Sequence, residues 1–66
     1  MTFTSLLSAY IGRTVEVVVI GALFEGTLTS VETTLIQVLE PPTIYGGAPI
    51  TVTIPSSSID LVRVLP

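Results

Sequence analysis

Val, Ile and Thr together make up 26 of the 66 residues, and turn-forming residues interrupt them at short intervals. β-branched side chains are stiff in helices and pack well on a pleated surface. The interruptions fall at Gly12, Gly21, Gly26, Pro41-Pro42, Gly46-Gly47, Pro49 and Pro55. Between them only short runs fit. Several short strands with regular breaks predict an all-β sandwich or barrel rather than a helical domain. The length suits one domain, with no internal repeat and no linker.

The strands are expected at about 13–20, 23–31, 34–40, 50–54 and 59–65. In the first, Val15, Val17 and Val19 point one way while Thr14, Glu16, Val18 and Ile20 point the other. A tight hairpin turn is expected at Gly21-Ala22. In the second, Phe24 and Leu28 oppose Glu25, Thr27 and Thr29, and Gly26 sits mid-strand, where a sharp bend is allowed. Ile50, Val52 and Ile54 alternate cleanly with Thr51 and Thr53. One helix is expected, at about 4–11. Thr2 or Thr4 is its N-cap, and Phe3, Leu6, Leu7 and Tyr10 form a single stripe closed by Gly12. That stripe is either a cap over the open end of a barrel or a surface for a partner.

The chemistry available is narrow. Cys, His, Lys, Asn and Trp are all absent. Thiol nucleophiles, thiolate metal sites and the usual imidazole base are therefore excluded. The carboxylates Glu16, Glu25, Glu32, Glu40 and Asp60 are spread along the chain. A carboxylate pair across two strands is the one arrangement that would suit hydrolysis. A domain of this size offers little room for a cleft, so no enzyme, cofactor or metal is expected.

Charged residues are 11% of the chain, against about 25% in soluble domains, while apolar residues are 48%. The run Val17 to Phe24, flanked by Glu16 and Glu25, is far short of the roughly 20 residues of a membrane helix. No membrane association is expected. The first residues lack a basic segment followed by a long apolar one, so the expected compartment is the cytoplasm. A chain this short buries only about 60% of its unfolded surface, and no disulfide can compensate. Strands 1 and 5 are apolar on both faces, as in strands covered from both sides. Self-association would supply that cover.

Two segments resemble the motifs of the Sm-like family, and its bacterial Hfq group most closely. Gly26-Thr-Leu-Thr-Ser-Val-Glu-Thr-Thr-Leu-Ile-Gln-Val38 is similar to the first motif, with its bending glycine, acidic turn residue and apolar third strand. Ile54-Pro-Ser-Ser-Ser-Ile-Asp-Leu-Val-Arg-Val64 is similar to the second, in which strand 4 breaks in a short turn before strand 5. The resemblance implies a strongly bent five-stranded antiparallel barrel with an N-terminal helix. It also implies a homo-oligomeric ring of about five to seven subunits. In such a ring strand 4 of one copy pairs with strand 5 of the next. The interface would comprise Ile50, Val52, Ile54, Ile59, Leu61, Arg63 and Leu65.

The resemblance further implies RNA as a ligand, bound between the turn after strand 2 and the turn after strand 4. The family's amide and aromatic positions in the first turn are occupied here by Thr33 and Thr34, beside Glu32. The basic second turn is replaced by Ser56, Ser57 and Ser58. Stacking rings and cations are what single-stranded nucleic acid relies on, and the net charge is −3. The expected function is therefore a non-enzymatic assembly or interaction module. The alternative is an RNA-binding protein with an atypical hydroxyl-rich site, using Tyr45 and a circle of Arg13 side chains.

Each of these residues also has a plainer role. Arg13 would pair with a carboxylate or stay solvated. Ser56 to Ser58 would cap backbone groups in a turn. Glu32 would either join a metal-binding carboxylate ring or satisfy loop amides. Tyr45 would mark a loop tip. Arg63 would be a ring-surface residue or, the favoured reading, a partner in an ion pair across a subunit boundary.

Overall fold

The computed structural model describes residues 2–42 and 46–66. Helix α1 (Phe3–Leu7) continues into a 3-10 turn (Ser8–Tyr10). Strands follow as β1 (Thr14–Val19), β2 (Ala22–Val31), β3 (Leu35–Glu40), β4 (Ile50–Pro55) and β5 (Ile59–Val64), with a second 3-10 turn (Ser56–Ser58) between the last two. All five belong to one antiparallel sheet in the order β4-β3-β2-β1-β5. The all-β expectation with one short helix holds.

This order has a geometric consequence. β4 and β5 are the two edges of the sheet, yet only Ser56 to Ser58 separate them in sequence. The sheet must curl until its edges approach each other at that corner. Three features supply the curl. Thr29 is an extra residue in β2, since Leu28 pairs with Val38 and Ser30 with Gln37. Asp60 is extra in β5, since Val18 pairs with Leu61 and Val19 with Ile59. Such bulges sharpen the local twist. The third feature is Gly26, where β2 and β3 come so close that a Cβ would collide with the Leu39 carbonyl and lie 3.0 Å from Val38 Cγ1.

The concave face holds the core: Leu7, Val15, Val17, Leu28, Ile36, Val38 and Ile54, with Val62 and Val64 of β5 packed partly against it. Full burial of each such side chain contributes about 1.5–3 kcal/mol. Alternation places these residues as expected. The β1–β2 turn is displaced by one residue, however. Val19 pairs with Ala22, so the turn is Ile20-Gly21, with Gly21 at φ 78°. Glycine carries the left-handed position and Ile20 is left exposed at the hairpin tip.

The helix differs more. Its hydrogen-bonded span is Phe3–Leu7, shorter than expected, and it turns Thr4 and Leu7 inward. Phe3, Leu6 and Tyr10 remain exposed, so the apolar stripe caps the core only through Leu7. A capping box marks its start. Thr2 Oγ1 accepts from the Ser5 amide at 3.1 Å and the Ser5 hydroxyl receives the Thr2 amide at 2.9 Å. This sets the start of the helix.

Candidate functional site

Residues 32–34 and 56–58, far apart in sequence, meet at the β4–β5 corner. Register carries them there, because Leu35 pairs with Pro55 at the end of the β3–β4 ladder. The Ser56 amide donates to the Thr34 carbonyl at 2.9 Å, and the Ser56 hydroxyl donates to the Thr33 carbonyl at 3.4 Å. Ser56 thus caps backbone, as a turn serine does. Ser57 and Ser58 are exposed and line a shallow hollow with Val19, Ile20 and Asp60.

Glu32 and Thr33 also border a second cleft, closed on its other side by Thr2, Thr4, Ser5 and Ser8 of the helical segment and floored by Val31. This hydroxyl-lined cleft was not foreseen. Its signal is the polar spacing of Thr4, Ser5 and Ser8, opposite the apolar stripe. The Glu32 amide donates to the Leu35 carbonyl at 2.8 Å, closing the β2–β3 turn, and among the described residues no loop amide donates to its carboxylate. The turn is held by backbone rather than by the acid. Among the described residues no group of acidic side chains is placed to hold a metal ion, and the lining of this cleft contains no cation.

The two arginines lie elsewhere. Arg13 donates from an Nη to the Leu65 carbonyl at 3.0 Å, so its partner is a carbonyl at the end of β5 rather than a carboxylate. Arg63 pairs with Glu16 of the same chain at 2.9 Å. The ion pair expected across a subunit boundary is thus satisfied within one sheet, because the register sets Glu16 opposite Arg63. Tyr45 lies outside the described residues.

The remaining expected positions flank the open edges. Along β4, Ile54 is only 3% exposed and belongs to the chain's own core, Val52 is half-buried, and Ile50 is 61% exposed. On β5, Ile59 is half-buried, while Leu61 and Arg63 stand on the outer face in line with Val18 and Glu16. Leu65 follows the strand, its amide bonded to the Thr14 carbonyl at 2.9 Å. Beside β5 runs an apolar groove of about 360 Å³, lined by Phe3, Leu6, Leu7, Tyr10, Val62 and Val64.

No family model, curated protein or solved structure matches the chain. No helix among the described residues is long and apolar enough to cross a membrane.

Proposed function

We propose that this protein is a non-enzymatic, Sm-like assembly module that acts as a homo-oligomeric ring, β4 of one copy pairing with β5 of the next. One observation carries this reading: a single sheet ends in two unpaired edges, β4 with a proline only at its last residue, Pro55, and β5 with none. Natural proteins cover or blunt such edges. Two different edges on one chain make a head-to-tail contact, which closes into a cycle when the rotation permits. Among the described residues eight large apolar side chains are exposed, Leu6, Ile20, Leu23, Ile50 and Leu61 by more than half, and association would cover part of that surface.

Light scattering on the eluting protein tests it. A single chain weighs 6.9 kDa, and a closed ring of about five to seven copies is expected at about 35 to 48 kDa. A particle of one-chain mass at micromolar concentration overturns the reading.

A second reading, RNA binding at an atypical site, is favoured by one feature, the meeting of residues 32–34 with the serine turn. The acidic balance and the absence of cations in the cleft oppose it. With two Tyr and no Trp, the protein absorbs weakly, so bound RNA would dominate its ultraviolet spectrum. A nucleic-acid-free preparation with no salt-sensitive binding to U-rich or A-rich oligonucleotides removes this reading.

A further inference from the structure

We infer that the outer face of the sheet docks weakly on the same face of a second copy of this chain, about a twofold axis that runs parallel to β1 over Val18. The contact uses neither sheet edge, so it is separate from the ring reading and compatible with it.

The apolar row is the first argument. Leu23, Val18 and Leu61 lie side by side on β2, β1 and β5. Leu23 is 57% exposed and Leu61 51%, while the core fills the opposite face. The row has a Leu on either side of a Val. A twofold contact needs a surface that complements itself. An axis over Val18 sets Leu23 on Leu61 of the second copy, and Leu61 on its Leu23. Sheets packed face to face lie about 10 Å apart with strands within about 30° of each other, so the rows keep their order.

Charge selects the axis. In the adjacent row Glu25 stands beside Glu16, and Arg63 pairs with Glu16 at 2.9 Å. Among the described residues no cation pairs with Glu25. The axis parallel to β1 inverts this row, so Glu25 meets Arg63 of the second copy and Arg63 meets its Glu25. A guanidinium has five donors, enough to serve Glu16 of its own chain and Glu25 of the other. The two Glu16 side chains meet at the axis, each with its own Arg63. An axis perpendicular to the strands through the apolar row would instead set Glu16 and Glu25 over the hairpin tip, Ile20-Gly21, which offers no cation.

Three apolar side chains per copy make a contact at the small, weak end of protein interfaces. It is expected to fill at about 100 µM, well above the concentration at which the edges are tested. Sedimentation velocity from about 5 to 500 µM tests it, and the mass of the particle is expected to at least double across that range. Glu25→Arg is the decisive variant. Within one chain it gives Glu16 an opposite charge in place of a like one, which favours the fold. It lies on β2, the central strand, away from both edges. Across the axis it sets an Arg against Arg63. Glu25→Arg and Leu23→Arg are each expected to move the mass rise at least about tenfold higher in concentration, with the circular dichroism unchanged. Arg63→Glu alone is expected to do the same. An equimolar mixture of Glu25→Arg and Arg63→Glu is expected to recover the rise, since each cation then faces a carboxylate of the other variant. A mass independent of concentration overturns the contact. So does a rise that Glu25→Arg and Leu23→Arg leave in place, or a mixture that recovers nothing. The ring reading is judged apart, by the mass at the dilute end. A one-chain mass there ends that reading, and the outer-face contact then shows as a rise from one chain to two.

Discussion

Glu16 and Arg63 face each other across β1 and β5, with 2.9 Å between carboxylate and guanidinium, and Glu16 also stands directly opposite Glu25 on its other side. The outer face of the sheet thus carries a row Glu25–Glu16–Arg63, in which one cation offsets two adjacent anions. Next to it runs an apolar row, Leu23–Val18–Leu61. Arg63 is 68% exposed and Glu16 only 19%, so the pair is partly screened. Arg63→Ala is expected to lower stability by about 0.5–1 kcal/mol, because it removes an attraction and leaves a like-charge pair uncompensated. Urea unfolding at low and at about 1 M salt checks this, since screening should shrink the difference between variant and parent.

Gly26→Ala is expected to be among the most damaging single changes. The obstructing group is the Leu39 carbonyl of β3, which is backbone and cannot swing aside. Accommodation requires β2 and β3 to separate where their ladder is tightest. A loss of about 2–4 kcal/mol is expected, read as a drop in the urea midpoint. A midpoint unchanged within error would mean that the close approach is not a structural requirement.

These two residues mark the boundary of what pattern alone reveals. Strand identity was legible because side-chain alternation has a period of two, and Val15, Val17, Leu28, Val38 and Ile54 all fell on the buried face. The need for a bend at Gly26 was legible as well, since glycine in a strand interior has few other uses. Register was not. The bulges at Thr29 and Asp60 carry no sequence signature, and on them depends which residue faces which. Hence the pairing of Arg63 with Glu16 inside one chain could not be read from the sequence. Helix rotation was illegible for a related reason. An apolar stripe says that a face exists, but which of its residues turns inward depends on the packing of Leu7 into the core of the sheet. Of the candidate site, the two turns were identifiable by residue type, whereas their contact through Ser56 follows from the β3–β4 register.

Thr2→Ala should loosen the helical segment while sparing the sheet. A five-residue helix is far below the length that persists alone in water. Its cap is therefore a large share of its stability. Loss of the Thr2 hydroxyl removes the bond from the Ser5 amide and is expected to weaken the helix by about 1 kcal/mol. Amide hydrogen exchange checks this: faster exchange at Ser5 and Leu6, with β2 and β3 amides unchanged, is the expected pattern.

Leu28→Ala separates intrinsic stability from stability supplied by assembly. Leu28 is fully buried where β2 crosses the core, beside Val38 on β3. Truncation leaves a cavity and is expected to cost about 3–5 kcal/mol. A domain of 66 residues has only about 3–5 kcal/mol of its own, so the isolated variant should be largely unfolded. Association favours the folded chain by mass action, and each copy in a ring is held on two edges. The melting temperature of the variant should therefore rise steeply with protein concentration, and the parent's should rise as well. Thermal unfolding over a hundredfold concentration range distinguishes the cases. Melting temperatures independent of concentration would mean that the single chain carries all its stability, and that its exposed apolar edges have no role in folding.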